Sequence, residues 1–418
     1  MNNDFSSESN NNSTIKILFF LGMIFVCLDI FSINLGNFKL KISYVGFLIY
    51  LIIFAYSFGL KMKTKNFALA AMLMLGFLPS VVFSSSPVTS VAFYAGTLIC
   101  LVIMFIFSKI SYLAPSKVID LLFVFYRFSV ILTAVLVLTG IENRGHFLLY
   151  EPSYYAVVLI PYFCITFHRA FLYGLRIFWP DMIFILMAIV LSQSVSMVLW
   201  CFLCFVFTYI SFGHARWKHL FYFFVVVLAF LLSAYFLHAR TRFIIDRFFG
   251  LVSDPSDALS LLVFVVGNRL QRVMMAYEAF TASPFFGIGL GALKEYSSNN
   301  FIADNFMISG VTATDFVVES PAANIFVEVA AEAGLIGFIA WMSVLFFVHR
   351  QKNNAAVLAP FKIAFYVTMI ALLIDSSYLR NYVWALYGIV VGISSVEQWR
   401  VQPNWFYPAA LRKTAVKN

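Results

Sequence analysis

The chain has 418 residues, of which 62% are hydrophobic, 19% aromatic and only 11% charged, with a net charge of +9. A soluble domain carries about 25% charged residues, so too few are present to cover a soluble surface of this size. With a mean hydropathy of +0.91, the composition excludes a cytosolic enzyme, a secreted disulfide scaffold and a disordered chain, and leaves an all-α polytopic membrane protein.

The first 14 residues are polar and rich in Asn and Ser, and read as a disordered tail. The apolar run from Ile17 shows no A-x-A-like cleavage site and many further spans follow it. It therefore reads as a retained first helix rather than a signal peptide. At about 20 apolar residues per crossing, twelve spans are predicted: 15–36, 42–60, 66–85, 88–108, 117–140, 152–171, 174–191, 195–213, 218–237, 322–348, 358–376 and 380–397. Spans one to nine thus fill 15–237 and the last three fill 321–397. Residues 238–320 form one long loop and 398–418 a second tail.

Basic residues set the orientation. Lys61, Lys63 and Lys65 follow the second span, Lys109 and Lys117 the fourth, and Arg350 and Lys352 the tenth. Short loops dominate the positive-inside rule, so both termini are expected in the cytoplasm and the long loop outside. Cys27, Cys100, Cys164, Cys201 and Cys204 all lie in apolar runs, as buried small hydrophobes do, and imply no disulfide framework. Arg127 falls about ten residues into the fifth span. An Arg at that depth costs about 2.5–3.5 kcal/mol on the insertion scale, so it should face protein or a water-filled cavity.

Polar residues in a membrane protein cost free energy and usually have a function. Four groups fall on the predicted external side. IENRGHFLLYEPSYYA (141–156) supplies Arg144, His146 and Glu151. GNRLQRVMMAYEAFTASPFFGIGLG (267–291) opens a predicted helix at 268–282, on which Arg269 and Arg272 share one face. Two guanidinium forks suit a pyrophosphate, although two headgroup-facing arginines would look the same. No strand precedes the GxGxG turn, which excludes a dinucleotide fingerprint. ESPAANIFVEVAAEAGLIGF (319–338) contains Glu319, and places Pro321 in a helical first turn. Asn324, Glu328 and Glu332 then form one polar stripe. Its carboxylates either act as a general base or pair with arginines and pin the loop. DSSYLRNY (375–382) adds Asp375 and Arg380. His168, His214, His219 and His349 suggest no metal site, and no Walker or H-E-x-x-H motif appears.

In order and topology these segments resemble the O-antigen polymerase/ligase family of bacterial membrane glycosyltransferases. NRGHFLLYEPSYYA is similar to its Arg, Gly and acidic-Pro opening of a span. GNRLQRVMMAYEAFTASPFFGIGLGAL is similar to its Gly-Arg…Pro-hydrophobic-Gly-x-Gly loop segment. AANIFVEVAAEAGLIGF is similar to its His-Asn-x-x-x-Glu…Gly-Leu-x-Gly segment, with Ala323 where ligases of the family carry His.

The resemblance implies an inner-membrane polymerase of undecaprenyl-pyrophosphate-linked oligosaccharide repeats, active at the periplasmic face. Arg269 and Glu328 would be catalytic. Arg272, Arg380, Arg144, Glu151, Asn324 and Glu319 would bind substrate. No metal or other cofactor is implied. The implied partners are the lipid-linked oligosaccharide, a chain-length regulator, a flippase and membrane lipid, with no nucleic acid. A ligase moving polymer onto lipid A–core is the alternative within the family. A twelve-span transporter is the alternative outside it, and would place its sites near the midplane of two similar halves.

Overall fold

A computed structural model of the protein describes residues 4–35, 38–59, 64–212, 246, 271–300, 322–351, 357–374 and 378–396. Helices follow the apolar runs. The first are α1 (Asp4–Cys27), α2 (Ile42–Phe58), α3 (Thr64–Val82), α4 (Pro87–Leu113) and α5 (Pro115–Leu138). Next come α6 (Pro152–Val158) and α7 (Ile160–Tyr173), which meet at a 44° bend. After α8 (Leu175–Ser192) and α9 (Val195–Phe212), α10 covers 271–282. The last four are α11 (Leu293–Asn300), α12 (Ile325–His349), α13 (Ala359–Ala371) and α14 (Asn381–Ser394). Pro87, Pro115 and Pro152 sit in first turns, where a missing N–H leaves no hydrogen bond unmade.

α3, α4, α5 and α12 are long and apolar enough to cross a membrane, and α6 with α7 makes a fifth span if the bent pair is one. Shorter apolar helices lie in the remaining predicted spans, except the ninth, 218–237, which is outside the described residues. The apolar helices make this a multi-pass membrane protein.

Two local features differ from the sequence reading. α1 already begins at Asp4, within the stretch expected to be a disordered tail. The predicted first span also stops short at Cys27. It gives way to an antiparallel hairpin of β1 (Ser32–Leu35) and β2 (Phe38–Lys41), registered Ser32 to Lys41. The all-α expectation thus omits one small sheet. Gly36 and Asn37 stand between the strands in sequence, residue types that two-residue hairpin turns favour.

α14 is the most enclosed element, buried from Asn381 to Ile393, and it runs along α4. Gly388 faces the Met104 carbonyl and Gly392 the Ser108 carbonyl, and a methyl group at either position would collide with that backbone. This G-x-x-x-G face lets two helices approach closely without a large side chain between them.

Arg127 reaches from α5 to Asp181 on α8 through two hydrogen bonds of 2.8 Å, and Tyr162 of α7 donates to the same carboxylate at 2.8 Å. Asp181 is 1% exposed. The mid-span arginine therefore faces protein, and a planar fork on a carboxylate meets its polar requirement.

Backbone bonds gather alternate turns at one end of the bundle. Asp29 N–H donates to Leu148 O, Gly145 N–H to Leu191 O, Ser85 N–H to Ile288 O and Ile325 N–H to Leu372 O. The segments singled out as functional in the sequence thus share one end.

Candidate functional site

The site is organised by the start of α12. Asn324 is its N-cap, and its side-chain oxygen accepts from the N–H of Phe326 at 2.9 Å and of Val327 at 3.3 Å. Asn is among the best residues for this role because it satisfies first-turn donors that have no helical partner. The helix therefore opens at Ile325, several residues beyond the turn expected at Pro321. Glu328 and Glu332 follow one turn apart, each 3% exposed.

α12 is broken at Gly334, where φ is 63° and ψ is −173°. The break would leave the Ala331 and Glu332 carbonyls without helical donors, and the Leu335 and Ile336 N–H groups without helical acceptors. The loop 284–289 supplies all four. Ile288 N–H donates to Ala331 O at 3.0 Å and Gly289 N–H to Glu332 O at 3.1 Å. Leu335 N–H donates to Pro284 O at 2.8 Å and Ile336 N–H to Phe285 O at 3.3 Å. Such complete pairing is what buried backbone requires. A side chain at Gly287 would strike the Glu332 carbonyl, and one at Gly334 the Phe285 carbonyl. The G-x-G-x-G sequence is thus a clasp fitted to a broken helix.

Glu332 completes the clasp. Its Oε2 accepts from Gly291 N–H at 2.7 Å and from the Tyr378 hydroxyl at 3.3 Å, and its carbonyl also accepts from the Ser80 hydroxyl at 2.6 Å. Burial, then the Glu332 and Glu328 carboxylates, push the Tyr378 hydroxyl well above its ordinary value. Tyr378 thus remains a neutral donor between the two acids. Glu332 serves as a structural acceptor. Glu328 is the second buried carboxylate of this small cluster.

Arg380, the residue before α14, is 7% exposed. Its guanidinium lies 3.4 Å from Asp29 Oδ2 and 3.4 Å from the centre of the Tyr154 ring. Lys41, at the end of β2, is a second ion-pair partner of Asp29. Burial raises the Asp29 carboxyl, but Lys41 and Arg380 outweigh it and hold the group below the usual carboxylate range. Arg380 is therefore shared with Asp29 rather than open on all sides.

The 141–156 segment lies beside this cluster through Tyr154 and Leu148. Glu142 is buried, accepting from His146 N–H at 3.2 Å and standing 3.5 Å from its Nδ1. Arg144 is exposed and donates to Gln193 O at 2.8 Å. Glu151 is exposed at the start of α6 and accepts from the Ser153 hydroxyl at 3.1 Å. Arg272 is half-buried on α10. Arg269, Glu319 and Asp375 lie outside the described residues. Among the described residues, no three His, Cys, Asp or Glu side chains come together as metal ligands.

Sequence reasoning named neither Tyr378 nor Asp181. Asp181 had a signal, since a mid-span arginine requires an acid and this one lies in an apolar run. Tyr378 had none, because its role depends on a contact across the fold.

These features define a multi-pass helical membrane protein in which Glu328, Glu332 and Arg380 are buried, and Asp29 half-buried, at one end. Residues 182–342 match the family described as O-antigen ligase. This match supports the resemblance to the O-antigen polymerase/ligase family read from the sequence. The match takes in α10, the glycine clasp and the carboxylates of α12. A comparison with curated proteins gives no match. The family implies a membrane glycosyltransferase-like enzyme acting on lipid-linked polysaccharide.

Proposed function

We propose that the protein is a polysaccharide polymerase joining undecaprenyl-pyrophosphate-linked repeats at the periplasmic face of the inner membrane. The observation that carries this reading over the ligase is Ala323. It is buried beside the Asn324 cap, at the position where ligases of the family carry His.

A hydroxyl of one lipid-linked repeat would attack the anomeric carbon of the growing chain. The bond from that carbon to the pyrophosphate oxygen breaks, and undecaprenyl pyrophosphate leaves with the electron pair. Glu328 takes the hydroxyl proton as general base. Arg269 and Arg272 neutralise the leaving pyrophosphate, with the charge supplied by preplaced guanidinium forks. Arg380, anchored by Asp29, places a further cation at the same end, and Arg144 and Glu151 form the exposed rim. Asn324 contributes by fixing the start of α12 and hence the direction of Glu328.

A deletion strain tests the assignment. Lipopolysaccharide bearing core capped by a single repeat is expected. Accumulation of long lipid-linked polymer would instead identify a ligase, and an unchanged ladder would reject both. Restoring the gene with Arg269→Ala should give stable protein and no long polysaccharide.

A further inference from the structure

At the opposite end of the bundle from the carboxylates, a cleft of about 860 Å³ opens between α3, α12 and α14. Its mouth carries Lys65 from the first turn of α3 and Arg350 from the end of α12. Leu69, Phe346 and Val391 lie one turn deeper. Among the described residues, no acid lines the cleft and neither Lys65 nor Arg350 has an ion-pair partner.

From this cleft we infer a binding site for an anionic phospholipid. The lipid's headgroup phosphate would lie between Lys65 and Arg350, and its upper acyl chain against the apolar floor.

The layout of the cleft supports a lipid. The polar groups stand at helix ends and the apolar ones a turn inside, as headgroup and chain do in a bilayer. Basic pockets between membrane helices suit anionic headgroups, and each Lys or Arg near the surface contributes to that attraction.

The ends of α12 and α14, whose carbonyls would repel a phosphate, are already satisfied. Gln351 Nε2 donates to Phe347 O at 2.9 Å, the Ser395 hydroxyl donates to Val391 O at 2.8 Å, and the Ser394 hydroxyl bridges to Gln351 Oε1 at 2.9 Å. The inference is independent of the polymerase reading.

Native mass spectrometry of the full-length protein, released from detergent with added phosphatidylglycerol or phosphatidylcholine, tests it. Retention of phosphatidylglycerol but not phosphatidylcholine is expected. Lys65→Ala and Arg350→Ala should each weaken that retention about fivefold, while Lys109→Ala, which does not line the cleft, should not. Equal retention of both lipids, equal displacement by inorganic phosphate alone, or wild-type retention in the double variant would overturn the site. So would a dimer that the double variant separates, since a second copy would then be the occupant.

Discussion

At the residue scale, Asp29 is the hinge of the polar end. It pairs with both Lys41 and Arg380. Asp29→Asn leaves a buried guanidinium without its counter-charge, a loss expected at about 3–5 kcal/mol. Thermal unfolding in detergent should show it as a lowered Tm, and an unchanged Tm would refute the role. The pH dependence follows from the sign of the shift. A carboxyl held below its unfolded value, about 3.9 for Asp, stabilises the fold fully above that value. The contribution is lost as pH falls through the lower folded value. Stability from this pair should thus be level between about pH 5 and 8 and fall only below about pH 4.

Glu332 offers a second residue-scale comparison. Glu332→Ala strands the Gly291 N–H and the Tyr378 hydroxyl, each costing about 1–3 kcal/mol. Glu332→Gln keeps a carbonyl acceptor and should lose clearly less. Equal loss in both variants would mean that the charge, and not the acceptor geometry, is what matters.

At the element scale, the break in α12 and the 284–291 loop are one unit. Gly334→Ala and Gly287→Ala each force a side chain into the facing carbonyl at a positive φ that only glycine adopts freely. Each should destabilise the protein, and each should free the loop to proteolysis before the helices. Cleavage that stays confined to the termini would show that the loop is held elsewhere.

The sequence made part of this unit legible. The four-residue spacing of Asn324, Glu328 and Glu332 marked the polar stripe, and the three glycines marked a turn. It did not reveal the break, because AEAGLIGF continues an ordinary helical pattern and the replacement hydrogen bonds come from residues 43 to 51 positions upstream. The hairpin was hidden for a related reason. β1 directly follows an apolar run, so a length rule carried the first span through residue 36 and left 37–41 as a short loop. Arg127, in contrast, announced its need for a partner, and the fold supplies Asp181.

At the whole-molecule scale, the bundle separates two chemistries. Asp29, Glu328, Glu332, Arg380 and the glycine clasp gather at one end, and Lys65, Arg350 and an apolar-floored cleft stand at the other. The α4–α14 contact holds these ends in register, because Gly388 and Gly392 let the backbones touch. Gly388→Leu should cost about 1–3 kcal/mol or more by overpacking and lower the Tm, and full retention of stability would refute the close contact.

The central claim is that Glu328, held at the head of α12, takes the proton from the attacking hydroxyl. Purified protein in lipid nanodiscs, supplied with undecaprenyl-pyrophosphate-linked repeats, tests it by gel separation of the products. Wild-type protein should build a ladder and release undecaprenyl pyrophosphate. Glu328→Gln should fold with the same Tm, within error, yet lose about 10²–10⁴-fold in rate. A Glu328→Gln protein that builds the ladder at the wild-type rate would contradict the account.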